Sequence, residues 1–294
     1  MRRRVVIALL GLLVIAPAVA SAAIATGATG STETTYRCDP TFDNYTGCAV
    51  IRNDVQTWTA PGRLEKRYPL VFAAFQNVQA YWKAQRQIPS GGTGDAIVGG
   101  FAIADGAMTY SYRPANLPQN HQAMIGFRLS SGVWPERCIE MSYLDCTMGP
   151  QLETGRDSKH VFTVTSRPLE VRIINALPQA IKRVDGPYWS NALDIPDADN
   201  AGRIEPTKTG TAGGLRSVVS TSAYAAVYKF VRSPDDQRYN GSTIAISIRV
   251  AADGTRSGAC TPIFPPSGTR FQCSVSFSGN GKGVLTATIR VQPA

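Results

Sequence analysis

Ile244-Ala245-Ile246-Ser247-Ile248-Arg249-Val250 carries a branched aliphatic side chain at every second position. A strand sends alternate side chains to opposite faces, so this stretch predicts a strand with one face in a core. Branching at Cβ favours the same backbone. The pattern recurs at Phe271, Cys273, Val275 and Phe277, and again at Leu285, Ala287, Ile289 and Val291. Asp253-Gly254 and Gly279-Asn280-Gly281 supply turns between these segments. With 218–222 and 225–231 as further candidate strands, residues 215–294 predict a small C-terminal β-sandwich that is Ig-like in architecture. The tryptophan that a true immunoglobulin domain buries between its cysteines is missing, so the likeness stops at architecture.

Working upstream, residues 187–214 are rich in Pro, Gly, Asp, Asn and Thr and read as a linker. Before it, residues 36–186 predict a β-rich (α+β) unit. Its strands are expected at 98–104, 107–113, 124–129, 138–143, 161–165 and 169–174. Asp105-Gly106 is the expected hairpin turn between the first two. Val71, Phe75, Val78 and Trp82 recur at spacings of four, three and four, which predicts one long amphipathic helix over 69–87. Residues 176–184 predict a short helix. The fold class is thus mainly β with one long amphipathic helix.

Arg2, Arg3 and Arg4 precede an apolar run from Val5 to Ala20, and Ala20-Ser21-Ala22 offers small residues for cleavage. Residues 1–22 therefore read as a signal peptide, and 23–35 as a flexible leader. The run is short for a membrane span, so the mature chain is expected to have no transmembrane segment. Its expected place is extracellular or in a cell envelope. Removing the three arginines lowers the formal charge of +9 by three. The remaining cations are scattered, with Arg63, Lys66 and Arg67 in one cluster and Lys182 with Arg183 in another. Neither cluster is interleaved with aromatics, so no nucleic-acid partner is expected.

Export and an even number of cysteines predict disulfides. Proximity in sequence pairs Cys38–Cys48, Cys138–Cys146 and Cys260–Cys273. No C-x-x-C pair exists and the only histidines are His121 and His160, which argues against zinc.

Catalytic motifs are sparse. The chain has no G-x-S-x-G elbow, no H-E-x-x-H and no phosphate-binding G-x-x-x-x-G-K-[ST] loop. The candidate catalytic residues are Glu136 and Glu140, which lie with Asp145 near the second cysteine pair, and His160. A glycosidase needs only two carboxylates across a cleft. Asp197, Asp199, Gly202 and Ile204 match positions one, three, six and eight of an EF-hand-type loop. Ala201 and Lys208 depart from it, so a calcium site would draw on Asp194, Asp197, Asp199 and Glu205. The segment reads first as an acidic solvated linker with no cofactor, and calcium is the alternative. Asn44-Tyr45-Thr46 and Asn240-Gly241-Ser242 are glycosylation sequons.

These features favour a non-catalytic binding or structural role for a secreted protein, with an extracellular polymer or protein as partner. Trp134, Tyr143, Tyr188 and Trp189 are candidates for a binding face. A carboxylate-dependent polysaccharide hydrolase is the first alternative. A membrane-active toxin that forms a β-barrel is the second.

Overall fold

A computed structural model describes residues 46–76, 81–99, 105–113, 123–130, 137–149, 152–154, 157–234, 237–264, 269–280 and 283–294. The expected signal peptide, the expected leader and Cys38 lie outside these residues, so the Cys38–Cys48 pair does too.

The N-terminal half builds thirteen strands: β1 (Thr46–Asn53), β2 (Thr57–Ala60), β3 (Arg63–Glu65), β4 (Leu70–Gln76), β5 (Tyr81–Ala84), β6 (Gln87–Ile88), β7 (Thr93–Gly99), β8 (Asp105–Tyr112), β9 (Ala123–Ser130), β10 (Arg137–Met141), β11 (Leu144–Met148), β12 (Leu152–Thr154) and β13 (Asp157–Ser166). Eleven of them form one sheet in the order β5-β7-β1-β13-β11-β10-β9-β8-β4-β6, with β12 beside β13. The two ends of this path, β5 and β6, are separated only by Gln85 and Arg86. Gln85 N–H bonds Asp95 O on β7, and Arg86 O accepts from Phe72 N–H on β4. The sheet therefore closes on itself as a barrel around one corner of chain. The interior is filled. Tyr110, Tyr112, Phe127 and Phe162 are fully buried, and the Phe127 and Phe162 rings lie 5.2 Å apart across it. The Tyr110 hydroxyl donates to Gln85 O at 3.0 Å, pinning the interior to the corner.

Arg167 alone separates the barrel from the second half. There β14 (Pro168–Asn175), β15 (Ile181–Ser190), β16 (Ala192–Ile195), a 3-10 turn (Pro196–Ala198), β17 (Arg203–Ile204), β18 (Thr209–Arg216), β19 (Ser222–Phe230), β20 (Thr243–Val250), β21 (Arg256–Ile263), β22 (Phe271–Gly279) and β23 (Leu285–Pro293) follow. They form two five-stranded sheets, β16-β18-β14-β23-β22 and β17-β15-β19-β20-β21. Ile244, Ile246, Ile248 and Val250 of one sheet and Leu285, Ala287, Ile289 and Val291 of the other share a single core. The Cys260–Cys273 disulfide joins β21 to β22, tying one sheet to the other. The Cys138–Cys146 disulfide clips the β10–β11 hairpin.

Five expectations need correction. The candidate strand at 218–222 is a bend at 218–220 that leads into β19. The long helix at 69–87 is absent among the described residues, where β4, β5 and β6 stand instead. The reason is a β-bulge between Phe72 and Ala74. An inserted residue changes the inward spacing from two to three. Val71 is consequently 44% exposed while Phe75 packs against the barrel core, so the spacing of four that joined them in one helical stripe spans opposite faces of the strand. Residues 176–184 are likewise not a helix. The bend at 177–179 leads directly into β15. Asp105-Gly106 is no turn but the start of β8, which pairs with β9 and β4 and not with β7. Finally, residues 187–214 hold the end of β15, β16, β17 and most of β18. Gly210, Ala212, Gly213 and Gly214 give β18 no large alternating side chains, so its strand character is silent in the sequence.

Candidate functional site

Two groups of residues were open to a chemical role, and the structure separates them. The first is the acid pair on the β10–β11 hairpin. Ser142, at φ 60°, makes a tight turn with Tyr143, and Met141 pairs with Leu144. This register sets Glu140 beside Asp145, and the two carboxyls share a hydrogen bond. That bond raises the Glu140 pKa. Burial alone would raise Asp145 as well, but the Glu140 bond and the Arg167 guanidinium together hold it below the usual carboxylate range. Arg167 Nη2 lies 2.8 Å from Asp145 Oδ2, and Asp145 Oδ1 accepts from Cys146 N–H at 3.0 Å.

His160 is not part of this group. It sits on β13 opposite Ala49, five residues from Thr165, the partner of Asp145. Five strand residues span about 17 Å. Burial lowers its pKa. Glu136 and His121 lie outside the described residues.

The acids expected to bind calcium do not converge. Asp199 forms an ion pair with Arg183 at 2.8 Å and accepts the Ala201 N–H at 2.9 Å. Burial disfavours the Arg183 charge, yet Asp199 raises its pKa overall. Glu205 pairs with Arg203 at 2.6 Å. Asp194 lies on β16 opposite Gly214, and Asp197 in the 3-10 turn. Among the described residues, no three His, Cys, Asp or Glu side chains gather where they could hold a metal.

The second group is the aromatic set. Trp134 lies outside the described residues. Tyr143 packs against the barrel core, and Trp189 packs edge-on against Tyr224 at 4.9 Å inside the sandwich. Tyr188 points the other way and is 59% exposed. Alternation alone sends it there, and two register shifts in β15, between Arg183 and Asp185 and between Asp185 and Tyr188, bring Asp185 onto the same face. Bulges of this kind re-aim side chains. Gly186 sits inside the second shift at φ 85°, where a Cβ would lie 2.8 Å from Ala225 O. The Tyr188 hydroxyl donates to Asp185, whose carboxylate raises the phenol pKa.

Tyr188 stands on the outer face of the β17-β15-β19-β20-β21 sheet. Its cross-strand neighbours are Ala225, then Ser247, then Ala259. Val227, Ala245 and Thr261 form the adjoining row. These small side chains make a low floor, with Val184 56% exposed beside it. Tyr188 was legible as a candidate, whereas its partner Asp185 and the floor carry no motif. Only the strand register gathers them.

At the other sequon, Asn240 Oδ1 accepts from Gln179 Nε2 at 2.6 Å and Ser242 is fully buried. Comparison with family models and with curated proteins returns no match to this chain.

Proposed function

We propose that the protein is a non-catalytic binding protein of the extracellular space or cell envelope, and that the outer face around Tyr188 engages an extracellular polymer. The observation that carries this reading is the exposed Tyr188 ring, fixed by Asp185 beside a floor of small side chains. A flat aromatic face held in one orientation suits the apolar face of a sugar ring, and little ordering entropy opposes contact.

Other features support the choice among the three readings. The two disulfides fit an oxidising compartment. A glycosidase keeps its carboxyls about 5–9.5 Å apart to leave room for sugar or water. Glu140 and Asp145 are hydrogen-bonded to each other, and Asp145 is also held by Arg167, so the pair leaves no such gap. A membrane barrel turns apolar residues outward and polar ones inward. Here β8 turns Met108, Tyr110 and Tyr112 inward, with Thr109 and Ser111 on its other face.

Retention of the purified protein on insoluble polysaccharides tests the reading. Tyr188→Ala is expected to weaken retention without changing the circular dichroism spectrum. Retention equal to that of the wild type would overturn the assignment of this face.

A further inference from the structure

The polymer-binding reading leaves the class of polymer open, and the far end of the same face answers it. Lys182 on β15 is the direct cross-strand partner of Lys229 on β19, and on its other side of Arg203 on β17. All three are exposed and lie on the outer face. Three cations thus stand in one row across three strands. Directly opposed side chains in an antiparallel pair have Cβ atoms about 5 Å apart, and like charges there are destabilising. Arg203 is answered by Glu205 at 2.6 Å. No carboxylate among the described residues pairs with Lys182 or Lys229.

The row continues into the Tyr188 face. Asp185, next to Val184, opposes Val227, two residues before Lys229 on β19. At the opposite end Arg249 stands between Ala223 and Ser257. Arg249 is six residues from Thr243, the partner of Lys229, which places it about 20 Å from the lysine row. The face therefore has cations at both ends, a floor of small side chains between them, and Tyr188 with the Asp185 carboxylate at its side. A single aromatic with a floor of small side chains offers no series of stacking platforms, as a nucleic-acid strand would use.

We infer that the outer face of this sheet binds an anionic polysaccharide: Lys182 and Lys229 contact its carboxylate or other acidic groups, while Tyr188 packs on a sugar ring. This rests on the binding face proposed above and adds the charge of its partner. The Lys182–Lys229 repulsion, uncompensated in the unbound face, is relieved by an anion placed between the two ammonium groups.

The test uses the full-length protein and immobilised polygalacturonate, with its methyl-esterified form as the neutral control. The expected result is binding to polygalacturonate that weakens as salt is raised, and at least tenfold weaker binding to the ester. Lys182→Gln with Lys229→Gln should weaken polygalacturonate binding about tenfold. Tyr188→Ala should weaken binding to both polymers. Equal binding of both polymers, unchanged by the lysine variant but lost in Tyr188→Ala, would overturn the anionic partner and leave the face itself standing. Binding unchanged in every variant, or no binding to either polymer, would overturn both. Tighter binding to a 20-nucleotide oligothymidylate than to polygalacturonate would replace the polysaccharide by a nucleic acid.

Discussion

Arg167 Nε and Nη2 lie 3.0 and 2.8 Å from one oxygen of Asp145, so a single carboxylate of the barrel holds the residue that links barrel to sandwich. The remaining prong, Nη1, donates to Ala252 O at 2.6 Å in the β20–β21 turn. Val218 N–H bonds Ser142 O at 2.8 Å beside it. The clipped hairpin β10–β11 is thus the point at which the barrel is fastened to the sandwich.

Removal of the Asp145 charge should therefore loosen the whole molecule. Arg167 is nearly buried, and Arg216 lies close enough for its own pKa to fall to about 10, through burial and then the Arg167 charge. Without Asp145, the nearly buried Arg167 guanidinium loses its carboxylate partner. Asp145→Asn is expected to cost about 3 kcal/mol in urea unfolding. Adding Arg167→Met should recover part of that loss. A double variant as unstable as the sum of the two single ones would show that the pair does not couple.

Glu140 and Asp145 should give opposite pH signatures. Asp145 has a lowered pKa, so its contribution is present above the unfolded value and is lost as pH falls through the folded one. Glu140 has a raised pKa, so its contribution is present below the unfolded value and is lost as pH rises through the folded one. Glu140→Gln keeps the hydrogen bond without the second charge. The variant should match the wild type near pH 4 and exceed it near pH 7, by less than about 1 kcal/mol at this exposed site. Melting temperatures at the two pH values check this. A variant less stable than the wild type at pH 7 would count against it.

The sandwich core was legible in the sequence because each inward position of β20 and β23 is filled by an apolar residue in unbroken alternation. The barrel was not, for two physical reasons. In β4, Val71 and Phe75 match a helical stripe although the bulge puts them on opposite faces of a strand. Closure also depends on β1 pairing in parallel with β13, more than 100 residues away, a contact that leaves no local pattern. Of the candidate site, Tyr188 and Lys182 stood out singly. Their even spacing already puts them on one face, and only the pairing of β15 with β19 adds Lys229. Glu140 with Asp145 could be read as neighbours from the short hairpin, but the Arg167 contact could not.

Calcium should leave the protein unaffected. Asp199 is committed to Arg183, and both are mostly buried. Asp199→Ala would strand the Arg183 guanidinium and is expected to cost about 2 kcal/mol. The loss should be the same with chelator as with calcium at a few millimolar. A rise in wild-type melting temperature on adding calcium, absent in Asp199→Ala, would restore the metal reading of residues 194–205.

Two adjacent glycines of β18 each leave room for one indole. On β18, a Cβ at Gly213 would lie 2.8 Å from Trp58 Cδ1 and 2.8 Å from the Ala198 Cβ. One at Gly214 would lie 3.0 Å from Trp189 Cζ3 and 3.0 Å from Leu193 O. Successive strand residues face opposite ways. Trp58 therefore presses on one face of β18, joining the β2–β3 hairpin to the sandwich, and Trp189 presses on the other from within. Gly213→Ala and Gly214→Ala should each cost about 1–3 kcal/mol through overpacking. Deleting the matching indole should relieve part of the clash. Gly213→Ala should thus couple to Trp58→Ala and not to Trp189→Ala, and Gly214→Ala should show the reverse. Double-mutant cycles in urea measure these couplings. Equal coupling of Gly213 to both tryptophans would mean that the two indoles do not lie on opposite faces of β18.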